Sequence, residues 1–116
     1  MPREQLHQLV VALFEKADTS AEDAQLMAKL LVLTDLRGVH SHGTRKIPDY
    51  IDMIRQGRVN PRPKVTVMSE TPTTRVYDGD GGLGHFPCYQ GTLWAIKKAK
   101  EYGTAAITTR NHFHFG

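Results

Sequence analysis

Apolar residues recur at Leu6, Leu9, Val10, Leu13 and Phe14, the i, i+3, i+4 spacing that lays one stripe along an α-helix, and this predicts a helix over about residues 3–17. Ser20 followed by Asp23 has the form of a capping box with the shorter acid. It opens a second helix through Met27, Leu30 and Leu31 to about Arg37, where Gly38 can take the left-handed stop conformation. A third helix is predicted from Ile47 to Arg55, with Pro48 in its first turn and Gly57 at its end. Ile47, Tyr50, Ile51 and Ile54 form its apolar side.

The pattern then changes. Asn60-Pro61-Arg62-Pro63 interrupts it, because each proline lacks a donor and biases its predecessor toward extended geometry. Val65 and Val67 alternate with polar residues and Thr73 to Tyr77 is β-favouring, so two short strands are expected around a turn at Pro72. A fourth helix follows from about Phe86 to Tyr102, with Leu93, Ile96 and Ala99 as its apolar side, Lys97, Lys98 and Lys100 near its negative dipole end, and Gly103 as its stop. Ala105 to Thr109 reads as a third strand. The fold class expected is α/β: a helical part over residues 1–60, then the start of a mixed α/β part over residues 61–116.

Composition narrows the partners. A chain of 116 residues with 40% apolar and 23% charged content is ordinary for a folded domain. Its 15 Lys and Arg residues give a formal charge of only +3 and form no long run, so nucleic acid is not an expected partner. The densest basic stretch, Arg55, Arg58, Arg62 and Lys64, lies among glycine and proline and reads as a solvated connector. The most apolar stretch, Leu26 to Leu33, is interrupted by Lys29 and is far short of the roughly 20 residues a membrane helix needs. No membrane association is expected. Cys88 is the single cysteine and no secretory h-region is visible, which together place the protein in the cytoplasm.

Two segments carry candidate chemistry, Gly38-Val39-His40-Ser41-His42-Gly43 and Asn111-His112-Phe113-His114-Phe115-Gly116. The second closes the sequence, where residues fray unless tied down. It is therefore expected to be either inert or part of a truncated chain. Each segment holds an H-x-H pair, which on an extended backbone would point both rings to one face, a spacing that suits zinc. The absence of a matching Asp, Glu or Cys near the terminal pair argues against a metal, and none is expected. Ser41 beside His42 is not expected to form a dyad, since neighbouring side chains diverge in an extended loop. Gly79-Asp80-Gly81-Gly82-Leu83-Gly84 satisfies G-x-G-x-x-G, yet Asp78 and Asp80 would oppose a pyrophosphate. A glycine-rich turn ahead of a helix is the preferred reading.

The run Asp35-Leu36-Arg37-Gly38-Val39-His40-Ser41-His42-Gly43, then Lys46, Pro48, Tyr50 and Gly57-Arg58-Val59-Asn60-Pro61, closely resembles the N-terminal part of the malate/L-lactate dehydrogenase family of the non-Rossmann kind. The likeness extends through the Asp78–Gly84 turn to the Asn-x-x-His-Phe-Gly ending at Gly116. It implies an oxidoreductase that uses NAD or NADP to interconvert a 2-hydroxy acid and a 2-oxo acid such as malate or lactate, working as a homodimer when full length. By position, His114 matches the proton donor and acceptor, and Ser41 with His42 matches a loop lining the same pocket. Lys46 and Arg45 are then the candidates for the substrate carboxylate and Tyr50 for a further substrate contact, while His42 and Gly116 are the candidates for the cofactor. Where the family usually carries an arginine, this chain has Lys46. Lysine keeps the charge and loses the planar fork that grips a carboxylate bidentately. The physical chemistry agrees, since moving a hydroxyl proton near neutral pH suits imidazole. The alternatives are a noncatalytic truncated chain or partner subunit and, further behind, a zinc site on the H-x-H pairs.

Overall fold

A computed structural model describes residues 1–115. They divide into two compact units, Met1–Arg62 and Pro63–Phe115. The first holds helices α1 (Arg3–Lys16), α2 (Ala21–Leu36) and α3 (Ile47–Arg55). Ser20 caps α2, its hydroxyl accepting from the Asp23 amide at 3.2 Å, which satisfies one of the helix's orphan donors. The chain leaves α2 through Gly38 at φ 80° and α3 through Gly57 at φ 72°. Both values are left-handed and favour glycine.

α1 and α2 pack through Val10, Val11, Phe14, Ala24, Met27, Ala28, Leu31 and Val32. The buried stripe of α1 differs from the expected one: Val11 is inside, while Leu9 and Leu13 are 45% and 39% exposed. Val10 and Phe14 are the most deeply buried positions of α1, and α2 buries the small Ala24 and Ala28 completely. The α3 face is as its spacing predicts, with Ile47 and Tyr50 buried and Asp49 and Asp52 exposed.

The second unit holds β1 (Thr66–Glu70), β2 (Thr74–Asp78), α4 (His85–Tyr102) and β3 (Ala106–Arg110) in a sheet of order β1-β2-β3. β1 and β2 form a hairpin with an irregularity between Val67 and Ser69, and β2 pairs parallel with β3, from Thr74 opposite Ala106 to Asp78 opposite Arg110. β2, α4 and β3 thus make a β-α-β unit, the connection a parallel pair requires.

α4 does not bury the side its periodicity marks. Leu93 and Ile96 are 53% and 50% exposed, and His85, Phe86, Pro87 and Gly91 are buried instead. A Cβ at Gly91 would lie 2.6 Å from Ile107 Cδ1 and 3.2 Å from Tyr77 Cε2, so the helix settles on the sheet where it has no side chain. One face further along, the Arg75 guanidinium lies 4.6 Å from the centre of the Trp94 ring, a cation–π contact.

Candidate functional site

In the first unit, Asp35 in the last turn of α2 organises the loop that carries Ser41 and His42. Its carboxylate accepts from the Thr44 amide at 3.3 Å and from the Thr44 hydroxyl, and Oδ1 lies 3.6 Å from His40 Nδ1. Gly43 is buried directly beneath it, and a Cβ there would overlap the carboxylate. The loop is two short 3-10 turns, His40–His42 and Thr44–Lys46, rather than extended chain. Two expectations fall with that. Ser41 Oγ and His42 Nδ1 meet at 2.8 Å, because a tight turn converges neighbours that an extended loop would separate. His40 and His42, about two-thirds of a three-residue turn apart, also do not share a face as an extended pair would.

Both members of the Ser41–His42 pair are exposed. Arg45 is exposed, whereas Lys46 is half-buried and pairs with Asp49 at 3.3 Å. Tyr50 is only 1% exposed. Burial first, and the Asp49 carboxylate second, push its hydroxyl up to about 12, so it stays protonated and can donate a hydrogen bond but not shuttle a proton. Its position favours support for α3 over contact with substrate. A groove of about 680 Å³ in this unit runs along α1, lined by residues such as Glu4, His7, Glu15 and Gln25, and contains none of the candidate residues.

In the second unit, the Gly79–Gly84 turn receives the segment after β3. Gly79 N donates to Arg110 O at 2.9 Å, Gly81 N to Asn111 O at 2.9 Å, Phe113 N to Gly82 O at 2.9 Å and Gly84 N to His114 O at 3.3 Å. Glycine is required by the closeness of this approach: a Cβ at Gly79 would lie 2.8 Å from His112 Cβ, and one at Gly84 2.6 Å from Phe113 O. The two acids that argued against a phosphate are internal struts. Asp78 Oδ1 accepts from the Asp80 amide at 2.8 Å and from Asn111 Nδ2 at 3.1 Å, and Asp80 Oδ2 accepts from the Lys64 amide at 2.9 Å. The Asp80 amide, then Asn111, hold the Asp78 carboxyl below its ordinary range.

The turn therefore does not fit a nucleotide diphosphate: its amides are turned onto the chain's own carbonyls, where a cradle needs them aimed at the ligand. Among the candidates for meeting a nicotinamide, His42 is exposed, and Gly116 lies outside the described residues.

His112 and His114 differ in kind. His112 Nδ1 lies 2.9 Å from Phe113 O, which can only accept, so Nδ1 carries a hydrogen. In the neutral ring Nε2 then accepts from the Thr109 hydroxyl at 2.8 Å. With both nitrogens committed, this ring is a packing element, which removes it from the zinc reading. Among the described residues no group of three or more His, Cys, Asp or Glu could hold a metal ion. His114 is exposed. Beside it, His85 is 4% exposed at the start of α4, and burial first, then the charge of His114, push its ring down to about 4. Burial also raises the Cys88 thiol, which leaves it a poor nucleophile.

Asp35 and His85 are the residues whose importance sequence reading missed. An acid in the last turn of a helix, against its dipole, was the available signal for Asp35. For His85 there was only a histidine next to glycine.

Solved structures that share this α/β fold include dehydrogenases. Malate dehydrogenase of Pyrococcus horikoshii superposes with a TM-score of 0.93 at 40% identity, covering 100% of this chain and 33% of its own, and L-sulfolactate dehydrogenase of Methanocaldococcus jannaschii does so at 0.93 and 38%, covering 100% and 34%. The chain belongs to the malate/L-lactate dehydrogenase family, whose model matches residues 1–116. In sequence it is also 32% identical over 114 residues to ureidoglycolate dehydrogenase (NAD(+)) of Escherichia coli, covering 98% of this chain and 33% of that protein. It spans about a third of the length of these relatives. No helix among the described residues is long and apolar enough to cross a membrane.

Proposed function

We propose that this chain serves an NAD- or NADP-dependent oxidoreductase that interconverts a 2-hydroxy acid and its 2-oxo acid, of the size of malate or lactate, in the cytoplasm and as a homodimer. One observation carries the reading: of the two histidines in the terminal motif, one is locked by its neighbours and the other, His114, is exposed on backbone anchored to a glycine turn. A proton carrier needs that combination of fixed position and open access.

When bound, the nicotinamide supplies the hydride to C2. His114 gives its proton to the C2 oxygen in reduction and takes it back in oxidation. Arg45 and Lys46 hold the substrate carboxylate, Lys46 by turning from Asp49, and Ser41 with His42 supplies hydrogen bonds that orient the acid and the nicotinamide. Tyr50 holds the helix that follows Lys46.

The test is consumption of NADH or NADPH by the whole protein, followed by absorbance, against a panel of 2-oxo acids that includes oxaloacetate and pyruvate. Saturable turnover with at least one is expected. No turnover with any 2-oxo acid and either cofactor would overturn the reading.

A further inference from the structure

Nothing about helix stability explains Asp35. It sits in the last turn of α2, a turn with no basic residue, where a negative charge faces the negative end of the helix dipole. Its side chain is 16% exposed, it accepts from the amide and hydroxyl of Thr44 after the Ser41–His42 pair, and it lies 3.6 Å from the His40 ring before it. Gly43 leaves the space the carboxylate fills. The pair itself is exposed and lies in a turn of three residues, where Ser41 Oγ and His42 Nδ1 meet.

We propose that Asp35 is a positioning residue: by holding Thr44, with its carboxylate set against His40, it fixes the orientation in which Ser41 and His42 meet the substrate. The catalytic part of this proposal rests on the dehydrogenase reading above. The geometric part does not. An unfavourable charge at a helix end is retained because the loop it fixes carries chemistry, and misplacing an orienting group by about 1 Å is enough to cost up to a hundredfold in rate.

The test uses Asp35→Ala, Asp35→Asn and Thr44→Val in the whole protein, with two readouts. The first is nitrogen-15 NMR of the His42 ring. Asp35→Ala should move its signals toward those of a solvated imidazole while the amides of Phe14 and Met27 stay in place, and Asp35→Asn, which can still accept from the Thr44 amide, should keep the wild-type pattern. The second is kinetics: kcat/KM for the 2-oxo acid should fall about tenfold or more in Asp35→Ala, and Asp35→Asn should recover most of it. Thr44→Val should shift both readouts in the same direction, and it decides the matter if Asp35→Ala does not fold.

Unchanged His42 signals in a folded variant would overturn the proposal, as would wild-type kcat/KM in Asp35→Ala. If the wild-type protein turns over no 2-oxo acid, the dehydrogenase reading fails separately. The substrate orientation proposed for Asp35 falls with it, and the ring signals decide whether the clamp stands.

Discussion

In the first unit a side chain, the Asp35 carboxylate, holds the loop beside the Ser41–His42 turn through Thr44, whereas in the second the Asn111–Phe115 segment is held by backbone hydrogen bonds laid along a glycine turn. The two devices fail differently. A side-chain clamp depends on one acid and tolerates changes elsewhere in its loop. A backbone ladder ignores most side chains but demands that none intrude, so its vulnerable positions are the glycines. The ladder also consumes the ring of one histidine, His112, as packing and leaves the other, His114, exposed.

The largest effect expected on stability comes from the buried ring beside that ladder. His85 is pushed down to about 4 in the folded unit, while an unfolded histidine titrates near 6.5. Between those values the unfolded chain binds a proton that the folded one refuses. Stability therefore falls as pH drops from about 6.5 toward 4, by up to roughly 3 kcal/mol at about 1.4 kcal/mol per unit. Urea unfolding at neutral pH and near pH 4.5 reads this loss directly. His85→Leu should flatten it, and an unchanged slope would assign the titration to another group. Asp78, held low by the Asp80 amide, loses its contribution only below its ordinary value of 3.8, outside that window.

Next in size is Gly84→Ala. The added Cβ would meet Phe113 O at 2.6 Å and His112 Nδ1 at 2.7 Å, a backbone oxygen and a ring nitrogen that are hydrogen-bonded to each other rather than free side-chain ends. A loss of about 1–3 kcal/mol is expected, read by denaturant midpoint. A neutral result would mean that the segment is not held where the backbone bonds place it.

The smallest effect belongs to the other region. Ser41→Ala removes the 2.8 Å contact to His42, yet Ser41 is exposed and the turn hangs on Asp35, so stability should change by less than about 0.5 kcal/mol. A loss above about 1 kcal/mol would show that the Ser–His contact, not the carboxylate, organises the loop.

Much of the fold was legible because its signals are local. The Ser20 cap and the glycine stops at positions 38, 57 and 103 each act within one turn of the helix they bound. The buried faces were less legible. On α1 the choice of Val11 over Leu13 depends on the helix it meets, and on α4 the docking face is centred on Gly91, a residue that adds nothing to a hydrophobic stripe.

The candidate site divides the same way. Ser41, His42 and His114 were picked out by family resemblance, and their spacing alone would not have ranked them above His40 and His112. The use of the Gly79–Gly84 turn could not be read, because what it receives lies far along the chain, at Asn111 to Phe115. Convergence of Ser41 with His42 was missed because the segment coils into a 3-10 turn, which its composition does not announce.

His114, proposed above as the proton carrier, is anchored to the ladder through its carbonyl. The most direct measurement is kcat for a 2-oxo acid with reduced nicotinamide cofactor in the whole protein, wild type against His114→Ala, with cofactor affinity followed in parallel by fluorescence. Loss of a general acid predicts a fall in kcat of about a hundredfold or more with cofactor affinity retained. Turnover within about twofold of wild type would contradict it and return the proton to another residue.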